Sequence, residues 1–269
     1  MNNIETGQEA QTASLIASHV SNDLNIEEEN RITHLPEDLN DTEALIEALL
    51  FGSEEVRPAA RASLVAIGSE ASAKELLKAL DLVLESEEVD ETAVEELCLA
   101  LKETGEAAFK VLLQALKSKR TTIPATYALG LVGDKRAVEP LLELLNSNQP
   151  RLQARAAVAL ANLQAQRAVA PLTELFNTSA NYVSVQAAAM ALAQLGAFEP
   201  LLEKLKNEAT SDVQMCFWNV VESSDSETNS SRRSLALKAL SRYAEELLTA
   251  DGKTVAFQPL TSPVIFAKL

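Results

Sequence analysis

Apolar residues in the middle of this chain recur as a repeated block. Ala128-Leu129-Gly130-Leu131-Val132-Gly133 is followed by Arg136-Ala137-Val138-Glu139-Pro140-Leu141-Leu142. Ala159-Leu160-Ala161-Asn162-Leu163-Gln164 then leads to Arg167-Ala168-Val169-Ala170-Pro171-Leu172. Ala191-Leu192-Ala193-Gln194-Leu195-Gly196 leads to Glu199-Pro200-Leu201-Leu202, again about 31 residues further on. Within each block the apolar positions fall at helical spacing, so one face of each helix is apolar. A helix pair of this length buries its apolar face only by stacking on its neighbours. The pattern therefore predicts an all-α fold, an α-α superhelix or solenoid of about six helix pairs.

The repeat extends beyond its clearest copies. Asp41 is placed to cap a helix whose apolar stripe is Leu45, Ile46, Leu49 and Leu50, the second helix of an incomplete first unit. The next unit starts at Val56-Arg57 and turns at Gly68, with Leu76, Leu77 and Leu80 in its second helix. Another ends its first helix at Leu97-Cys98-Leu99-Ala100-Leu101 and turns at Gly105. Its second helix carries Val111, Leu112, Leu113 and Leu116. The stretch from Val213 to Val221 reads as one more first helix, and Leu235 to Leu248 as helical again. The division predicted is an acidic, mobile tail over 1–40, a repeat solenoid over 41–248 and an apolar capping segment over 249–269. Leu15, Ile16 and Val20 give the tail one short amphipathic stretch.

Gly68, Gly105, Gly133 and Gly196 fall at one place in the repeat, just past a first helix. Glycine enters the left-handed conformation there without a Cβ clash. Gln164 stands at that place in one unit, which predicts strain. Ala156, Ala157, Ala187 and Ala188 are small enough for neighbouring first helices to approach closely. Pro140, Pro171 and Pro200 stand near the starts of second helices, where a missing N–H costs little.

Composition fits this picture. Hydrophobic residues are 47% of the chain but aromatic ones only 4%, so the apolar mass is Ala, Leu and Val, suited to close helix packing. A net charge of -16 argues against nucleic acid, whose phosphates need clustered Lys and Arg. Cys98 and Cys216 match no zinc or redox spacing and read as two small buried thiols in a reducing cytosol. No run is long and apolar enough to span a membrane, and the expected protein is soluble and cytoplasmic, without membrane insertion. His19 and His34 both lie in the tail and neither precedes a Glu, so no metal site is expected. No Ser/His/Asp set or phosphate loop is present.

The string from Arg151 to Leu160, followed by Arg167 to Leu172, resembles a HEAT repeat. The string from Leu129 to Leu141 resembles the short HEAT subtype named for the phycobilisome bilin lyases. The resemblance covers about residues 41–207. It implies either an assembly factor that binds a partner protein on its concave face, or a subunit that attaches, isomerises or removes a linear tetrapyrrole on a phycobiliprotein cysteine. The implied partner is a phycobiliprotein or another HEAT-repeat subunit. The implied ligand is a bilin, with no resident cofactor required. A general scaffold or iron–sulfur assembly adaptor stands as the third reading. Whether the chain is an enzyme stays open, because no residue carries over as catalytic.

Superposing the units exposes one stripe. Lys78, Gln114, Glu143, Glu174 and Glu203 occupy the same place in successive second helices, which line the concave face of such solenoids. Glu143, Glu174 and Glu203 are candidates to receive a basic partner surface or the pyrrole N–H groups of a bilin, or they form a solvated helix face. Arg136 and Arg167 are equivalent, and either pair with ligand carboxylates or bridge acidic groups between repeats. Trp218, the only Trp, is a candidate stacking surface or core filling. Tyr127 and Tyr182 read as packing residues in first helices.

Overall fold

The computed structural model describes residues 31–86 and 91–207, and these are all-α: helix pairs stacked at the predicted period. Eleven α-helices lie among the described residues. They fall in two compact units divided between Ala137 and Val138. The first unit holds α1 (Thr42–Phe51), α2 (Val56–Ile67), α3 (Glu70–Glu85), α4 (Glu91–Thr104), α5 (Glu106–Ala115) and α6 (Thr122–Val132). The second holds α7 (Val138–Leu145), α8 (Pro150–Asn162), α9 (Val169–Thr178), α10 (Tyr182–Gln194) and α11 (Glu199–Asn207). By register α2, α4, α6, α8 and α10 are first helices and the others second helices. The predicted helices beyond Val213, the capping segment 249–269 and the stretch containing Leu15, Ile16 and Val20 lie outside the described residues.

Each helix starts and stops for a local reason. The Asp41 carboxylate accepts the backbone N–H groups of Glu43 and Ala44, both at 3.1 Å, and opens α1. Ser69 and Asn181 do the same for α3 and α10, accepting from Ser72 and Val183 at 3.0 Å. Gly68 and Gly133 close α2 and α6 in the left-handed conformation. Gly105 departs from that expectation: its φ is 69° but its ψ is -124°. Only Gly105 separates α4 from α5, so this one residue must end one helix and begin the next.

Within the first unit α3 packs on α4 and α5, and α4 on α2 and α6. Leu45, Leu49, Leu64, Leu76, Leu80, Leu97, Leu101 and Leu112 are fully buried there. Ile32 is tied to the end of α1. Its N–H donates to the Phe51 carbonyl at 3.1 Å, and its carbonyl accepts from Ser53 at 2.9 Å. Within the second unit α8 packs on α10, with Ala156, Ala157, Ala187 and Ala188 buried between first helices as their size predicts. Phe176, Leu141, Leu160, Leu172 and Leu192 fill the space toward the second helices. Burying a Leu or Phe side chain stabilises by about 1.5–3 kcal/mol, so this apolar seam holds each stack together.

Candidate functional site: the exposed face of the second helices

The second helices of residues 138–207 turn one apolar edge inward, through Leu141, Leu145, Leu172, Leu175, Phe176 and Leu201. Their opposite edge carries Glu143, Glu174 and Glu203, all exposed. None of the three is held in an ion pair among the described residues. Glu139 and Glu199 lie one turn earlier on α7 and α11 and are also exposed. The i, i+4 spacing puts Glu139 beside Glu143 and Glu199 beside Glu203. The result is a ladder of carboxylates at one register, repeated once per unit. Carboxylates in water are hydrated, so each gains only modest Coulomb attraction for a cation placed beside it.

Lys78 and Gln114 take the same register in the first unit, on α3 and α5. Lys78 lies 3.3 Å from Glu75. Lys74, Lys110 and Lys117 on the same helices and the turn after α5 are exposed and unpaired among the described residues. Glu43 and Glu47 of α1 hold the corresponding positions there, and both have partners.

Arg136 and Arg167 are each engaged within the protein. Arg136 reaches Asp134 through two nitrogens, at 2.7–3.1 Å, and Glu106 at 2.9 Å. Its guanidinium also lies 4.1 Å from the centre of the Phe109 ring, a cation–π contact. The Arg136 hydrogen bond holds the Asp134 carboxyl below the usual carboxylate range. Arg167 pairs with Glu139, one repeat earlier. Trp218 lies outside the described residues, as do Cys216 and His19. Cys98 is buried, and burial pushes its thiol up to about 12, so it is protonated at neutral pH. His34 is exposed. Tyr127 is half-buried, but Tyr182 is 41% exposed and opens α10, with its hydroxyl donating to Gln186 at 3.3 Å. Tyr182, expected to pack, instead leaves 41% of its surface exposed at the start of α10.

Other polar links escaped the sequence reading. The Ser184 hydroxyl donates to Gln153 Oε1 at 2.7 Å, joining α10 to α8. Gln153 Nε2 in turn donates to the carbonyls of Leu145 and Ser147, at 3.1 and 2.7 Å. Gln194 donates to Asn162 at 3.1 Å, and Gln166 to the Leu195 carbonyl at 3.1 Å. Arg61 joins α2 to α4 through Glu96 at 2.6 Å and Glu103 at 3.3 Å. The separations, 29 to 35 residues for these links between repeats, were the available signal. Lys204 caps α9: its Nζ donates to the Phe176 carbonyl at 2.8 Å and lies 4.9 Å from the Phe176 ring centre.

Among the described residues no group of His, Cys, Asp and Glu could hold a metal ion, and no helix is long and apolar enough to cross a membrane. The second helices of residues 138–207 thus present an exposed, acidic face.

No curated protein matches this chain. Among solved structures, an engineered protein of the Northeast Structural Genomics Consortium is 22% identical, covering 76% of this chain and 98% of that one, with a TM-score of 0.36. A designed armadillo repeat protein is 17% identical, covering 73% of this chain and 98% of that one, with a TM-score of 0.32. The family profile described as HEAT repeats matches residues 109–193, so over that stretch the chain is similar to HEAT-repeat proteins.

Proposed function

We propose that this protein is an interaction scaffold that holds a basic partner protein on the second-helix face of residues 138–207. The observation that carries this reading is the ladder of Glu143, Glu174 and Glu203, exposed, unpaired among the described residues and repeated at one register. Similarity to HEAT repeats supports a binding role. The resemblance of Leu129 to Leu141 to the bilin-lyase subtype makes a phycobiliprotein, or a second HEAT-repeat subunit, the first partner to try. On the scaffold reading the chain needs no cofactor and works in the cytoplasm.

A second reading is a subunit that handles a linear tetrapyrrole. The same carboxylates would accept hydrogen bonds from pyrrole N–H groups, and the protein would contribute orientation more than a nucleophile. The same resemblance favours it.

Two measurements separate these readings. The triple variant Glu143→Lys, Glu174→Lys, Glu203→Lys should lose phycobiliprotein capture in a purified binding assay while keeping its circular dichroism. Equal capture by wild type and variant would remove the ladder from the site. Mixing the protein with a linear tetrapyrrole, with and without an acceptor biliprotein, should leave the visible spectrum unchanged on the scaffold reading. A shifted spectrum would favour the second.

A further inference from the structure

We infer that the two second-helix faces of this protein bind one another between copies, the lysine face of residues 70–117 in one molecule against the carboxylate face of residues 138–207 in another. The inference rests on the reading of the carboxylate ladder as a docking face and names a second copy of this chain as an occupant. Three observations carry it. Lys74, Lys110 and Lys117 are exposed and unpaired among the described residues, as are Glu143, Glu174, Glu199 and Glu203. The two sets have opposite charge, with Glu70 and Glu106 standing one turn before Lys74 and Lys110 on the lysine face. Lys74 and Lys110 also share a spacing with the glutamates, because both ride on second helices of the same repeat.

The shared spacing is what favours a second copy over an arbitrary basic protein. Neighbouring packed helices lie about 8–10 Å apart, so Lys74 and Lys110 repeat along one face with the same pitch as Glu143 and Glu174 along the other. Laying one face on the other brings several cations and carboxylates into register at once. Each exposed pair contributes little alone, about 0.2–1 kcal/mol in general, so a contact of this kind is weak and reversible. A chain of net charge -16 repels its copies at long range. Near physiological salt the Debye length is about 8 Å, which screens the distant carboxylates more than the apposed ones.

Sedimentation velocity tests this from about 1 to about 100 µM, a range in which weak pairs assemble. At about 0.15 M salt the wild type should sediment faster with concentration, and at about 1 M salt it should be monomeric. The variants Lys74→Glu, Lys110→Glu, Lys117→Glu and Glu143→Lys, Glu174→Lys, Glu203→Lys should each weaken self-association at least tenfold. Mixed together they should associate again. Six charge units leave both variants net negative, so recovery in the mixture cannot come from opposite overall charge. A wild type that is monomeric throughout at 0.15 M, or a mixture that stays monomeric, overturns the inference. Either result with phycobiliprotein capture intact leaves the proposed function standing. Lost capture with the self-association pattern intact does the reverse.

Discussion

Gln164 and Gly196 close their helices in the same way, although only one of them is glycine. Gln164 has φ 52° and Gly196 has φ 78°. The Gln164 N–H donates to the Ala161 carbonyl at 2.9 Å, and the Ala165 N–H reaches back to Leu160 at 3.0 Å. Gly196 donates to Ala193 at 3.0 Å, and Ala197 to Leu192 at 2.8 Å. Both ends are thus Schellman closures, which satisfy carbonyls that the helix itself leaves open. Gln164 also donates through its own amide to Ala161 at 3.0 Å, which offsets part of the strain.

The first prediction follows from that pair. An L side chain in the left-handed region costs roughly 1 kcal/mol, less the entropy that a glycine adds to the unfolded chain. Gln164→Gly should therefore stabilise the protein by about 0.5 kcal/mol, and Gly196→Ala should destabilise it by about 1 kcal/mol. Urea denaturation of the two variants checks both signs. A Gln164→Gly variant less stable than wild type would show that the side-chain bond to Ala161 outweighs the strain.

One buried polar bond crosses the Ala-rich seam between α8 and α10. Ser184 is fully buried, and its hydroxyl serves Gln153. Ser184→Ala removes the donor and leaves Gln153 Oε1 short of a partner, at a cost of about 1–2 kcal/mol. In a double-mutant cycle with Gln153→Ala, the coupling should be about 0.5–1.5 kcal/mol. Additive losses would show that the bond contributes nothing of its own.

Cys98 should be inert in the folded protein. Burial pushes its thiol up to about 12, so almost none is thiolate at pH 8. In a Cys216→Ser background, which leaves Cys98 as the single thiol, a thiol-specific chromogenic reagent should label it at least tenfold more slowly than in denaturant. Fast labelling of the native protein would mean that α4 opens readily.

Asp81 makes stability depend on pH in the direction opposite to a salt-bridged carboxylate. It is 8% exposed, with Arg120 no closer than 4.0 Å. Burial raises its pKa above the ordinary aspartate value, Glu85 adds to the rise and Arg120 works against it. The folded protein therefore holds the Asp81 proton more tightly than the unfolded chain. Its contribution is fully present below the ordinary value of 3.8 and is lost as pH rises through the raised folded value. At pH 7 Asp81→Asn should be more stable than wild type, and the advantage should vanish below about pH 4. Thermal unfolding across pH 3 to 8 checks this. An Asn variant that is less stable at pH 7 would mean that the Arg120 attraction dominates.

Sequence periodicity sufficed to place most of the helices. Asp41, Gly68 and Gly133 mark boundaries because a cap and a positive φ are local demands that few residue types meet. Local pattern was less informative where one position serves two neighbours. Leu99 and Val158 continue the apolar pattern of α4 and α8, yet they are 37% and 42% exposed. A first helix meets helices on several sides but leaves one edge in water, and the pattern of one helix does not say which. The carboxylate ladder was legible because superposed copies share a register. The engagement of Arg136 was legible only in its local part, Asp134 two residues away, since Glu106 and Phe109 lie about 30 residues off.

The sequence by itself determined that this chain builds helix pairs about 31 residues apart, several of their boundaries, and which glutamates recur at one register. Those are consequences of backbone geometry and of apolar spacing, which act over a few residues. Tertiary structure alone decided which of the recurring charges are spent and which are free. Arg136 is held by Asp134 beside it and by Glu106 of the preceding repeat, and Arg167 by Glu139 of the preceding repeat, while Glu143, Glu174 and Glu203 face solvent unpaired among the described residues. The reason is distance: an ion pair forms only where stacking brings two side chains within about 4 Å, and stacking depends on residues a full repeat apart.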